Sequence, residues 1–508
     1  MAVDTRSNKS RKTEPHRQIT AKLRGGTHSM RQAGEVYLPR QTRESETGYQ
    51  NRLKRSVLTN YYTKTVDTFV GRIVKKPPKI LESTPPQIGA LVEDIDNQGN
   101  DLATFLREAI TAATDDGIVY FYVDSPQSRV ESEEARIRSM ADDEAQGIRP
   151  FVTMIRAEQV LDIHYDDRQN LDLVRYSFTH TEKDPEDEFS TITRNRIRVI
   201  DLDNGRVRHR IYEKRKAQDV QGTTGGSQGH EWTLVETVST EFTEIPLHAM
   251  YARKEETDVG MPLFMDLADL NILHWQSQSD QTNIEHVVRV PILFAKNLLD
   301  EETQIPQDIV IGPNSVVHGS AGSELTYVEH TGKGVEAGMK ALQRLETGMV
   351  DMGTQIILNR TGNQTATARA IDQAEADNLM AAVATAAENS IQVVFGFLAD
   401  ALNLQVDDAG GIDLNKDFGI GTLDPQTAKM LTDLWKMAGL SLKTLLSEFQ
   451  RHGVITEDLD LDLEIEAIEE DQDAVMRREA ELAALEQPEQ PEEPEDEDDE
   501  EDDEDADD

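Results

Sequence analysis

Residues 266–293, DLADLNILHWQSQSDQTNIEHVVRVPIL, constrain this chain more than any other stretch. Leu263, Leu267 and Leu270 recur at helical intervals, and no Gly or Pro interrupts the run before Pro291. The spacing therefore predicts a long helix. Its middle, HWQSQSDQTNIEH, is polar on nearly every side. A helix without a continuous apolar stripe cannot be held by a hydrophobic core alone. It calls for hydrogen-bonding neighbours across a subunit seam or for a wet channel; the plainer alternative is a solvent-exposed helix in a monomer. The side chains that would face such a seam or channel are His274, Gln276, Gln278, Asp280, Gln281 and Asn283.

Residues 335–358 supply a complementary pattern. Val335, Met339, Leu342, Leu345, Met349, Met352 and Ile356 follow one another by threes and fours, which is one apolar stripe. Between the two helices, VPILFAKN, DIVIGPNSVVHG and ELTYVEH read as three short strands. Two antiparallel helices capped by a small β insertion make a stalk, and its stripe would be buried between helices of neighbouring subunits. LNRTGNQTA interrupts the second helix, and a long Ala-rich helix is expected from Thr365 to Leu402. Residues 425–485 read as helical.

The first half has a different character. Residues 1–35 are basic and poor in apolar side chains and read as a flexible arm, with Arg6, Lys9, Arg11, Lys12 and Arg17 placed to meet an acidic partner or DNA. Leu53, Val57, Tyr61, Thr65, Phe69 and Ile73 fall four apart, so one helix is expected over Tyr49–Val74, stopped by Pro77 and Pro78. A second helix is expected over Leu102–Ala113, followed by the strand GIVYFYVD. Residues 151–250 look mostly β: FVTMIR, LVRYSFTH and WTLVETV are β-branched or alternating. RIRVIDLDNGRVRHRIYEK places Asn204-Gly205 between two alternating runs, a strong hairpin signal. QGTTGGSQGH reads as a loop. The fold class is α+β.

Charge divides the chain further. The formal charge is −44, yet the first 60 residues hold 13 Lys/Arg against 5 Asp/Glu, a net of +8. Of the last 20 residues, 16 are Asp or Glu, so the tail from 487 to 508 is expected to be disordered. An acidic body argues against tight wrapping of nucleic acid, though not against contact with DNA that slides. With no Cys, thiolate metal sites and Cys nucleophiles are excluded. No apolar run approaches the roughly 18–20 residues of a bilayer span, and the first 20 residues lack an apolar signal core. A product of a reducing cytoplasm, without a membrane, is expected.

Chemical motifs fail when tested. TGKG at Thr331–Gly334 lacks both the earlier Gly of a phosphate loop, where Tyr327 stands, and the following Ser or Thr, where Gly334 stands. DLDNG at 201–205 stops short of a calcium loop. No HExxH occurs, and His274 and His286 would be about 18 Å apart on one helix. No catalytic, cofactor or metal site is expected. A helical assembly scaffold with no DNA role is one reading, and an acid-dependent hydrolase another.

Several stretches, in order, resemble the portal proteins of tailed bacteriophages. They are VYLPRQTRESETGYQNRLKRSVLTNYYTKTVDTFVGRIVKKPP, RPFVTMIRAEQVLDI, LFMDLADLNILHWQSQSD, YVEHTGKGVEAGMKALQRLETGMVDMG and NQTATARAIDQAEADN, and they span most of 36–402. The resemblance implies a ring of about twelve subunits at one capsid vertex, a channel for double-stranded DNA. It implies a wing over 36–260, stem helices over 261–288 and 335–358, and a clip over 289–334. The tunnel loop would be 359–366, with Asn359, Arg360, Thr361, Gly362, Asn363 and Gln364 toward DNA. A long helix and its connection would cover 367–424, and a crown 425–486. Implied partners are the terminase large subunit at the clip, head–tail adaptors, and capsid and scaffold proteins. The product would lie in the virion after synthesis in a bacterial host, with ATP chemistry left to the terminase.

Overall fold

The computed structural model describes residues 2–125, 149–185, 187–216, 230–240, 242–289, 292–298, 316, 322–328, 333–354, 366–404, 408–416, 418, 425–451, 454–456 and 459–470. The chain divides into two compact units, Met1–Phe418 and Gly419–Asp508.

The first unit opens with three helices, α1 (Asn8–Lys12), α2 (Glu14–Arg24) and α3 (Gly26–Ala33). This corrects the expectation of a flexible arm. Leu23 and Met30 are fully buried in the main core, and Ser7 N–H donates to Leu161 O at 2.8 Å. So few apolar residues hide the segment from a compositional reading, while polar contacts supply much of its docking. α4 (Glu46–Arg55) and α5 (Tyr61–Ile73) replace the single helix expected over Tyr49–Val74. The break has a local cause: the Asn60 side chain caps α5 by accepting from Thr63 N–H at 2.9 Å. Val57 of the expected stripe is exposed as a result.

After β1 (Lys79–Ile80) and α6 (Pro86–Leu91), α7 (Leu102–Asp116) leads into β2 (Ile118–Asp124). Asp101 caps α7 through Thr104 N–H at 2.8 Å. Gly117 ends it in the left-handed region at φ 81°, where a Cβ would lie 2.2 Å from Met261 N. Only Gly satisfies both demands. Six consecutive β2 residues are buried, as expected of a strand covered on both faces.

β3 (Phe151–Arg156), β4 (Val160–Tyr165), β5 (Leu171–Lys183), β6 (Thr191–Asp203), β7 (Arg206–Lys216), β8 (His230–Ser239) and β9 (Leu247–Tyr251) build two antiparallel sheets. Their orders are β3-β2-β9 and β4-β5-β6-β7-β8. The β6–β7 turn falls at Asn204-Gly205, with φ of 53° and 76° and Asp203 opposite Arg206, as the dipeptide predicts. β10 (Lys254–Glu256) and β11 (Val259–Gly260) form a short hairpin.

Then come α8 (Met265–Val288), β12 (Ile292–Lys296), β13 (Glu324–Val328), α9 (Lys333–Thr354), α10 (Ala366–Ala401) and β14 (Ile412–Asp413). The strands expected first and third in the β insertion are β12 and β13, paired antiparallel. Apart from Val316, DIVIGPNSVVHG lies outside the described residues, as do Asn359–Gln364, expected as a tunnel loop, and Ile356. Asp377–Ala401 is long and apolar enough to cross a membrane by length and composition, which corrects the expectation that no such segment exists. Here its Met380, Val383, Ala384, Ala387, Ile391 and Phe395 are buried in the core shared with α5, α7 and β2.

The second unit contains α11 (Pro425–Lys436), α12 (Leu442–Arg451) and helical residues 461–470. Lys443 Nζ meets Asp462 at 2.5 Å. The acidic tail lies outside the described residues.

Candidate functional site

The polar helix α8 lies antiparallel to α9. His274 Nε2 and Glu346 Oε1 are 3.2 Å apart, and Gln281 Nε2 donates to Val335 O at 3.1 Å. Small residues permit the approach: a Cβ at Gly338 would lie 2.1 Å from Gln281 Oε1, and one at Gly353 would lie 2.5 Å from Thr65 Oγ1 and 3.3 Å from Leu267. Gly338 and Gly353 are spaced to fit one helix face, so α9 contacts its neighbours along small residues as well as along the stripe.

The six polar positions singled out on α8 are brought together, but their partners are in the same chain. Gln276, Gln278, Asp280 and Asn283 stay half-buried beside these partners. Gln276 donates to Tyr37 O at 3.1 Å, and Gln278 accepts from Thr59 Oγ1 at 3.3 Å. Asp280 accepts from Gln41 at 2.7 Å, and Asn283 from Arg55 at 2.9 Å. His274 is buried, with Tyr61 edge-on at 6.0 Å between ring centroids. The helix is polar in sequence here because it packs against polar groups of three neighbours: the segment before α4, the capped join between α4 and α5, and α9.

Asn271 carries that argument furthest. Its Oδ1 accepts from Tyr62 N–H at 3.0 Å and its Nδ2 donates to Thr59 O at 2.9 Å, with the side chain fully buried. Sequence reasoning missed this residue, although an Asn amid apolar helical positions is a signal for a buried polar contact. It also missed Arg52, which is 2% exposed. Arg52 donates to Glu44 Oε1 and Oε2 at 2.9 and 2.8 Å, to Pro39 O at 2.9 Å, and approaches Asp280 at 3.4 Å. The hydrogen bonds from Arg52 hold the Glu44 carboxyl below its ordinary value, and those to Glu44 hold the guanidinium charged. Ser56 and Ser279 hydroxyls close the contact at 2.7 Å.

The stripe on α9 divides in two. Met349 is buried within the chain, and Val335, Leu342 and Leu345 are half-buried. Met339 and Met352 remain exposed, as does Val350 between them. The β12–β13 ribbon beyond the helices exposes Phe294, Leu325, Tyr327 and Val328, residues of both its faces. Two strands without a covering layer are marginal alone in water.

The basic N-terminal residues are also placed. Arg6 donates to the carbonyls of Val160 at 3.1 Å and Glu158 at 2.5 Å. Lys9 donates to Thr257 O at 3.3 Å, and Lys12 pairs with Glu256 at 2.8 Å. Arg17 is buried and donates to Ser10 O at 2.8 Å, while Arg11 is exposed. Arg6, Lys9 and Lys12 therefore fasten the N-terminal helices to the body and Arg17 ties those helices to one another, which corrects their reading as a free arm. Among the described residues, no cluster of three or more His, Asp or Glu is arranged to hold a metal.

A family model described as "Domain of unknown function (DUF4055)" matches residues 262–401, the stretch from α8 to the end of α10. No curated protein matches the chain. Among solved structures, a chain described as "Neck of empty GTA particle computed with C6 symmetry" is similar at 11% identity. The match covers 77% of this chain and 89% of that chain, with a TM-score of 0.36.

Proposed function

We propose that this chain is the subunit of a ring-shaped connector of the phage portal kind, a passage for double-stranded DNA at one capsid vertex. One observation carries the reading: an antiparallel pair, α8 and α9, joined through a β ribbon and followed by the 36-residue helix α10. That order is what the sequence resemblance implies for stem, clip and tunnel helix. The exposed apolar residues of α9 and of the ribbon support it, since a ring would cover them. On this reading α8–α9 is the stem, 289–334 the clip that meets a packaging motor and adaptors, and Asn359–Gln364 the loop toward DNA. The rest of the chain would be scaffold, with no chemistry of its own.

Images of the purified full chain test this directly. Rings with a central hole are expected; a monomer at micromolar concentration defeats the reading. Met349→Asp is a poor probe of ring contacts, because Met349 is buried within the chain. Met352→Asp is the better one, since Met352 is 47% exposed and the subunit is expected to stay folded. Loss of the ring with retained helicity is expected.

A further inference from the structure

The β5–β6 hairpin is longer than the sheet that holds it. Its pairing continues out to Lys183 opposite Thr191, whereas the β4 partner ends at Tyr176 and the β7 partner at Arg196. The hairpin thus projects as a two-stranded arm. At its end Asp187 and Glu188 are exposed, and Phe189 is 90% exposed, the most exposed of the large apolar side chains described. Asp187 Oδ1 accepts from Phe189 N–H at 3.1 Å and Asp187 O from Ser190 N–H at 3.0 Å, so the aromatic is displayed on an ordered turn. A single rigid aromatic flanked by carboxylates has the makeup of an interface anchor.

A groove of opposite character lies at the base of the same sheet, against the N-terminal helices. Its volume is about 720 Å³. Phe178 and Trp232 give it aromatic walls, and Leu161 and Ile197 an apolar floor. Arg6, Arg17, Lys22, Lys214 and Arg196 line it, against the carboxylates of Asp4, Glu14 and Glu158. Arg196 is held by Glu213 at 2.8 Å. The other four cations make no ion pair among the described residues: Arg6 and Arg17 spend their donors on carbonyls and two hydroxyls, and Lys214 lies 5.8 Å over the Trp232 ring. With Glu213, which neutralises Arg196, the balance is five cations against four anions, a small positive excess on a chain of −44.

We infer that the chain associates with further copies of itself by seating the acidic, Phe189-tipped end of the β5–β6 hairpin in this groove of the next subunit. The two surfaces match in charge and in aromatic character. The tip cannot serve its own groove: the pairs from Thr179–Asn195 to Lys183–Thr191 extend the ribbon by roughly 13 Å beyond the groove wall. The contact joins different surfaces of two copies, so it is head-to-tail, the kind that generates rings. It deepens the ring reading proposed above, and the two can fail separately.

The test uses the full chain and measures mass against concentration. Phe189→Ser, on an exposed turn, leaves the subunit folded and is expected to raise the concentration for half-assembly by about tenfold or more. Lys22→Glu with Lys214→Glu is expected to do the same, as is Asp187→Lys with Glu188→Lys. Combining all four reversals is expected to recover most of the assembly. If Phe189→Ser and both pairs assemble as the unaltered chain does, the hairpin contact is overturned while the connector reading stands. A combined variant no better than either pair also overturns the contact. A monomeric unaltered chain overturns both.

Discussion

α8 and α10 are both long helices buried against the same α5, yet they are buried by different means. α10 contributes Met380, Val383, Ala384, Ala387, Ile391, Val394 and Phe395, with no polar contact needed at those positions. α8 buries Asn271, His274, Ser279 and Gln281 alongside Leu267, Ala268 and Trp275. Apolar burial stabilises in proportion to area and tolerates small shifts along the helix. Hydrogen-bonded burial adds little net energy per bond but is intolerant of displacement, because each group left unpaired costs about 1–3 kcal/mol. The comparison teaches that α10 holds the body together and α8 fixes a register. A helix that must keep its place against α9 gains more from the second property.

The largest effect expected lies on the apolar side. Phe395 is fully buried in the main core. Phe395→Ala should destabilise the first unit by about 3–5 kcal/mol through lost burial and the cavity left behind. Denaturant unfolding followed by far-UV circular dichroism measures it. A loss under about 1 kcal/mol would mean that α10 is not the principal apolar anchor.

Next in size is a place where the two modes of burial meet. Asp115 and Asp116 end α7, where the helix dipole disfavours negative charge. Both are buried. Burial raises Asp115 against the pull of Arg24, which donates to it at 2.8 Å. Burial pushes Asp116 from an ordinary 3.8 up to about 6, against the opposing pull of Arg156. The folded value lies above the unfolded one, so Asp116 favours folding most fully below about pH 4. That contribution is lost as pH rises through 6. Asp116→Asn removes the titration, so the variant should gain on the unaltered chain between pH 4 and pH 8 by up to about 3 kcal/mol. Unfolding free energies of both proteins at the two pH values give the difference. A difference independent of pH would show that Asp116 titrates normally.

How much of this was legible in the sequence follows the same division. The β6–β7 turn could be read at Asn204-Gly205 because its signal is confined to four residues. β2 could be read from six apolar residues in a row, α8 from its leucine spacing and a run without Gly or Pro, α9 from its apolar stripe, and α10 from its Ala-rich composition. The N-terminal helices could not, since Leu23 and Met30 are too few to set a pattern and much of their docking is through backbone carbonyls and carboxylates distant in the chain. The α4–α5 break was masked by apolar residues that continue at intervals of four straight through it. The polar face of α8 was visible as a question, but its answer lay 209 to 239 positions away, at Thr59, Tyr62, Gln41 and Tyr37. Periodicity carries no information about partners so distant in the chain.

The register argument is tested more directly at Asn271. Asn271→Ala strands Tyr62 N–H and Thr59 O in a buried position, and a loss of about 2–3 kcal/mol is expected. Asn271→Leu restores volume and apolar area but not the two bonds. If register is what Asn271 supplies, Leu should rescue little, and amide exchange at Tyr62 should quicken in both variants. Rescue by Leu to within about 0.5 kcal/mol would place α8 with α10, held by area alone.

The smallest effect is expected on the same helix at Asp280, and it sharpens the comparison from the other side. Asp280 also touches Arg52, at 3.4 Å, but its side chain is 47% exposed and water competes for it. Arg52 keeps both Glu44 bonds and the Pro39 carbonyl without it. An exposed ion pair of this kind contributes little. Asp280→Asn also retains an oxygen able to accept from Gln41, so a change under about 0.5 kcal/mol is expected. Glu44→Gln should cost more, because it weakens the charge-assisted pair that neutralises a guanidinium only 2% exposed. Unfolding curves of the two variants, run side by side, decide the point. If Asp280→Asn proves the costlier, the charge that positions α8 comes from its own solvent-facing side, and the contact with the α4–α5 join is secondary.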